Sequence, residues 1–121
     1  MNAVQTYHLT LMRLASFNEF DGDLVANSLG EHRDLWQAAI MTNDPESGSL
    51  LIGLRDLPDG EWNVDTMFIL AIPGKQDELE QLAQEWSPDV VDWIEAKRAK
   101  RWLGVHSDEV GDKTLLRIWW D

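Results

Sequence analysis

The sequence predicts an α+β fold, a two-layer sandwich with a four-stranded antiparallel sheet. Three observations predict it. Strand-like apolar runs at 4–14, 50–57, 64–72 and 114–120 give four strands. Helical spacing over 21–41 and 76–103 gives two helical segments, each broken in two. Pro58-Asp59-Gly60 is a strong turn signal that joins the middle strands as a hairpin. The resulting β-α-β-β-α-β order is the ferredoxin-like one.

Each element has its own warrant. In residues 4–14, Tyr7, Leu9 and Leu11 alternate with Thr6, His8, Thr10 and Met12, as a strand requires. Over 21–41, Leu24, Val25, Leu29, Leu35, Trp36, Ala39 and Ile40 fall near the 3.6 period, and Ser28 with Glu31 matches a capping box. The main helix is expected from about Leu29 to Met41, with His32 on its apolar stripe. Asn43-Asp44-Pro45 with Ser47-Gly48-Ser49 reads as a loop. Residues 64–72 are the most apolar run, as expected of a central strand. Residues 76–86 place Leu79, Leu82, Ala83 and Trp86 on one helical side, and Pro73-Gly74 reads as the turn before them. Ser87-Pro88 looks like a cap and first helical residue for a second helix, to Leu103, closed by Gly104.

Length suits one domain spanning 1–121. There is no cysteine, which excludes disulfides, thiolate metal sites and a cysteine nucleophile. No apolar run is long enough for a membrane helix, and no signal-peptide pattern opens the chain. A cytoplasmic protein is the expectation.

The formal charge is −12, with 22 acids against 10 bases. Phosphate contact needs a basic stripe, so nucleic acid and anionic membranes are unfavoured partners. Plain solubility, adaptation to a salty cytoplasm, and an acidic surface built to meet a basic one all fit. The signs separate late in the chain. Residues 76–95 hold seven acids and no base, and Lys97, Arg98, Lys100 and Arg101 follow. That basic run reads as a complement to a helix dipole, paired with Asp92 and Glu95.

In the expected topology, loops 15–20, 57–63 and 104–113 share one end of the sheet. They would gather Glu19, Asp21, Asp23, Asp56, Asp59, Glu61, Asp108, Glu109 and Asp112 into an acidic rim. Seven tryptophans are available as anchors, and Trp62 and one of Trp119 and Trp120 are the hardest to bury. The outer sheet face is expected to be apolar. A second copy would cover it, or a helix or the C-terminal strand would fold over it.

Catalytic signals are few. His8, His32 and His106 lack metal-ligand spacing, and no metal or cofactor is expected. His106 with Asp108 could make a loop acid–base pair, but nothing specifies a nucleophile. His8 is the best catalytic candidate, because on an open sheet face it could point into a dimer cavity. The leading expectation is a non-enzymatic acidic module that blocks or regulates a basic protein partner, such as a nucleic-acid enzyme or a toxin. This is the physics of immunity proteins and nucleic-acid mimics. The partner-binding residues would be Asp56, Asp59, Glu61, Trp62, Asp108, Glu109, Asp112 and Trp119. The alternative is a homodimer that binds or transforms a small apolar molecule between its sheets, with His8 and Trp119 lining the cavity.

Overall fold

The computed structural model describes residues 1–46 and 51–121. These form a mixed α+β structure with five α-helices and two antiparallel sheets, of two and four strands. The helices are α1 (Ala3–Leu14), α2 (Gly22–Glu31), α3 (Ile52–Asp56), α4 (Gln76–Gln84) and α5 (Ala96–Leu103). A small β1 (Ser16–Phe17) and β2 (Phe20–Asp21) pair joins α1 to α2. The main sheet holds β3 (Trp36–Thr42), β4 (Thr66–Ala71), β5 (Val90–Trp93) and β6 (Leu115–Trp119), in the spatial order β3-β4-β6-β5.

The element order therefore departs from β-α-β-β-α-β. Residues 4–14 are helical, not extended. Asn2 caps α1 by accepting from the Gln5 N–H at 2.8 Å. Gln5, Leu9 and Met12 share its buried face at helical spacing. The threonines that suggested a strand stay on α1, and Thr6 and Thr10 turn their hydroxyls back onto the carbonyls four residues earlier.

The expected helix over 29–41 is also replaced. Asp21, not Ser28, caps α2, accepting from the Leu24 N–H. The helix ends at Glu31, where the His32 ring meets the Ser28 carbonyl at 2.9 Å. A 3₁₀ turn then leads into β3. A bulge between Trp36 and Ala38 puts Trp36, Ala39 and Met41 on the inner face. That irregular spacing imitates a helical period.

The partner of β4 is therefore β3, and the hairpin expected between 50–57 and 64–72 does not form. Residues 52–56 are the short α3, followed by a 3₁₀ turn, and residue 50 lies outside the described residues. Ser87 has a positive φ of 54°, and the chain after Pro88 enters β5, so the expected helix 88–103 survives only as α5. The other expected elements stand. β4 is a central strand, α4 follows it, and β6 ends the chain, although β6 is central too.

The core lies on the inner sheet face. Met67, Ile69 and Ala71 of β4 meet Leu116 and Ile118 of β6, together with Leu9, Met12, Val25, Leu29, Leu79 and Ala83 from α1, α2 and α4. Gly22 is required where α1 and α2 meet, since a Cβ there would lie 2.0 Å from the Met12 carbonyl oxygen. On the outer face, Phe68 and Leu115 are covered by α5 through Ala99 and Trp102. Phe68 and Trp102 make an edge-to-face contact with centroids 5.8 Å apart. A helix thus folds over part of the expected open face.

Two polar contacts brace this frame. Gln5 accepts from the Ala39 N–H at 2.9 Å and donates to the Ala39 carbonyl at 2.8 Å. One buried side chain thereby satisfies both backbone groups of a residue on edge strand β3. On the outer face, Arg117 makes a two-pronged contact to Asp92, at 2.9 and 2.6 Å, and reaches Asp44 at 3.0 Å. The hydrogen bonds to Asp92 are the main reason its guanidinium binds its proton more tightly than usual.

Candidate functional site

The strand register decides where the acids go. Thr66 of β4 pairs with Trp119 of β6, and Leu70 pairs with Leu115. The 57–63 connection therefore sits at the Trp119 end, and 104–113 enters at the Leu115 end. The single nine-acid rim does not form. Asp108, Glu109 and Asp112 lie at the opposite end of the sheet from Glu61 and Trp62, because β6 runs antiparallel to β4. There Asp112 accepts from the Ala96 N–H at 2.7 Å and caps α5. Asp108 faces Lys100 at 3.8 Å. Glu109 borders a separate hollow with Leu70, Val110 and Lys113.

At the Trp119 end is a cleft of about 880 Å³. The buried Val64, just before β4, and Thr66, its first residue, line it. Its walls are Leu14 to Phe17, Asn43 and Asp44, Ile52, the 60–63 turn and Trp119. The turn is fixed by Gly60, whose φ of 71° ends the 3₁₀ turn after α3 in the left-handed region that favours glycine. Trp62 and Trp119 are half-buried, whereas Trp36, Trp86 and Trp120 are fully buried. Of the final pair, Trp119 is thus the one left for the surface.

The cleft lining holds three carboxylates, Asp44, Glu61 and Asp65, and no lysine, arginine or histidine among the described residues. Asp65 is fixed by the Thr66 hydroxyl at 2.8 Å and by Trp119 Nε1 at 3.2 Å. Asp44 is held by Arg117. Glu61 is exposed and, among the described residues, accepts only a long 3.3 Å bond from Asn63. Trp62 Nε1 is shielded from solvent and has no hydrogen-bond partner among the described residues.

Asp56 plays a different part from the one expected. It is buried beneath the turn. It accepts from Arg55 at 2.8 and 3.0 Å and from Asn63 at 2.7 Å. The Arg55 hydrogen bond, followed by that from Asn63, pulls its carboxyl pKa down to about 2. Asp56 is a brace for the 57–63 turn, and Asp59 and Glu61 are the exposed acids above it. His8 is half-buried on α1 and does not line the cleft, so it does not stand on a sheet face beside Trp119.

Of the residues expected from the sequence to meet a partner, Glu61, Trp62 and Trp119 line this cleft together. Sequence reasoning missed Asp44, Asn63 and Asp65. Asp44 and Asp65 lie at the ends of β3 and β4, and only the β3–β4 pairing brings them to one wall. A composition of Asn43-Asp44 on one side and Asn63-Asp65 on the other was the available signal.

No known protein family matches the chain, and no characterised protein or solved structure matches it. No helix among the described residues is long and apolar enough to cross a membrane.

Proposed function

We propose that the chain is a non-enzymatic module that binds a basic protein partner in the Trp62–Trp119 cleft. The observation that supports this reading most directly is the lining: three carboxylates, two half-exposed indoles and no cation among the described residues. A concave acidic wall concentrates the field of a chain that already carries −12, and so steers a cationic surface toward it. Once docked, a lysine or arginine pairs with Glu61 or stacks on an indole face. The exposed Leu54 and Leu57, beside the same turn, add apolar contact. A module of this kind would block a basic surface by occupying it, as a nucleic-acid mimic or an immunity protein does.

Capture from a lysate of the source cells, with low-salt and high-salt washes, tests the reading. A single basic protein should be retained at low salt and released at high salt. Glu61→Lys combined with Asp59→Lys should abolish retention, and Lys97→Glu should leave it unchanged. For the isolated pair, Trp62→Ala should raise the dissociation constant about 30-fold, the scale of an interface anchor. Retention indifferent to salt and to Glu61, or no retained protein, would sink the proposal.

A further inference from the structure

The cleft leaves one surface unexplained. Helix α1 has two apolar stripes. Gln5, Leu9 and Met12 face the core. Val4, Tyr7, Leu11 and Leu14 follow one another at steps of three, four and three residues. At about 100° per residue these four fall within one narrow stripe, nearly opposite the buried one. They are not covered. Val4 is 69% exposed, Tyr7 71% and Leu14 72%, with Leu11 half-buried between them.

Spacing of three and four is what one helix presents to another across a packed seam. A free-standing apolar row of this length signals a missing partner. Charge says which partner. The first acid in the sequence is Glu19, so the whole of α1 is free of carboxylates in a chain that carries 22. Its one charged side chain, Arg13, turns away to Asp23 and Asn27 on α2. Two copies of a −12 protein repel one another over most of their surfaces. Along this stripe they can meet with no acid in the seam. An anionic membrane would be repelled by the rest of the molecule.

We propose that α1 is a self-association surface, on which Val4, Tyr7, Leu11 and Leu14 of one copy pack against the same residues of a second. The contact is the same patch on both copies, as two-fold symmetry requires. Because the seam is apolar and the remaining surfaces repel, the dimer strengthens as salt screens that repulsion. Leu14 borders both this stripe and the cleft, but the proposed basic partner would respond to salt in the opposite sense, and Val4 and Tyr7 lie outside the cleft, so the two readings are tested separately.

Sedimentation equilibrium of the full chain, from micromolar to millimolar concentration and at low and high salt, is the test. The wild type should pass from monomer to dimer, at lower concentration when salt is raised. Tyr7→Glu should raise the dimer dissociation constant by at least about tenfold, since it sets a buried charge in the seam. Val4→Glu should act alike, and unchanged far-ultraviolet circular dichroism would show that either variant is folded. A wild type that stays monomeric throughout would overturn the proposal. So would a dimer unaffected by both substitutions, or one that dissociates as salt rises.

Discussion

Asp56 shows how one residue can look like a contact and work as a brace. Its two carboxylate oxygens are both occupied, by Arg55 and by Asn63. Both donors favour the charged form, which is why the carboxyl holds its charge down to about pH 2. The sign of the linkage follows. A carboxyl with a lowered folded pKa stabilises the fold above its ordinary value of about 4, and that contribution disappears as the pH falls through the lowered value. Asp56→Asn keeps the shape and loses the charge. The wild type should therefore resist urea better than Asp56→Asn at neutral pH, and the gap should close between about pH 4 and pH 2. A gap that stays constant over that range would show that the carboxylate is not what holds the turn. Around Asp56, the exposed Asp59 and Glu61 were readable as surface acids from their place in a turn. The burial of Asp56 was not, since it depends on Asn63 folding back.

At the scale of elements, legibility followed the clarity of one period. The apolar residues of 64–72 run unbroken to Pro73-Gly74, and those of 76–86 repeat at helical spacing, so β4 and α4 were readable. Residues 4–14 fit two periods. Tyr7-Leu9-Leu11 alternates, yet Val4, Tyr7, Leu11 and Leu14 also repeat at helical steps, Leu9 and Met12 are the residues the core takes, and the Asn2 cap starts a helix. β3 hid behind its bulge. β5 hid behind Pro88 and a charge gradient that imitates one long helix, because acids precede bases from Asp89 to Arg101. The misplaced acids follow from these errors. Without β5, a single helix after β4 would return the chain as a strand parallel to β4 and place 104–113 beside 57–63; β5 reverses β6 and carries those acids to the other end of the sheet. One of those acids has a local task that the corrected order exposes. Asp112 caps α5 across sixteen residues of chain. Asp112→Ala should lower stability by about 1 kcal/mol in chemical denaturation, and Asp112→Asn, which keeps an accepting oxygen, by much less. Equal losses would assign the effect to charge and not to the cap.

For the whole molecule, charge and shape are arranged together. The acidic cleft lies at the Trp119 end of the sheet, and the basic α5 covers the Phe68–Leu115 part of the outer face. Arg117 stands between them and ties β6 to β5 and to the segment after β3. The acid-free α1 lies on the inner side, against α2 and β3. The sequence supplied the charge and the anchors, and the pairing of strands decided which of them meet. The Gln5 amide, which pairs with Ala39, also governs how the chain behaves in a crowd of its own kind. An open sheet edge is a template on which another chain can grow. Gln5 blocks that template at its middle with a group that cannot itself be extended. Gln5→Leu leaves the Ala39 N–H and carbonyl unanswered, and concentrated solutions of that variant should form thioflavin-binding fibrils after a shorter lag than the wild type. The residue that seals β3 would then be the one that keeps copies of the chain from adding strand to strand along that edge.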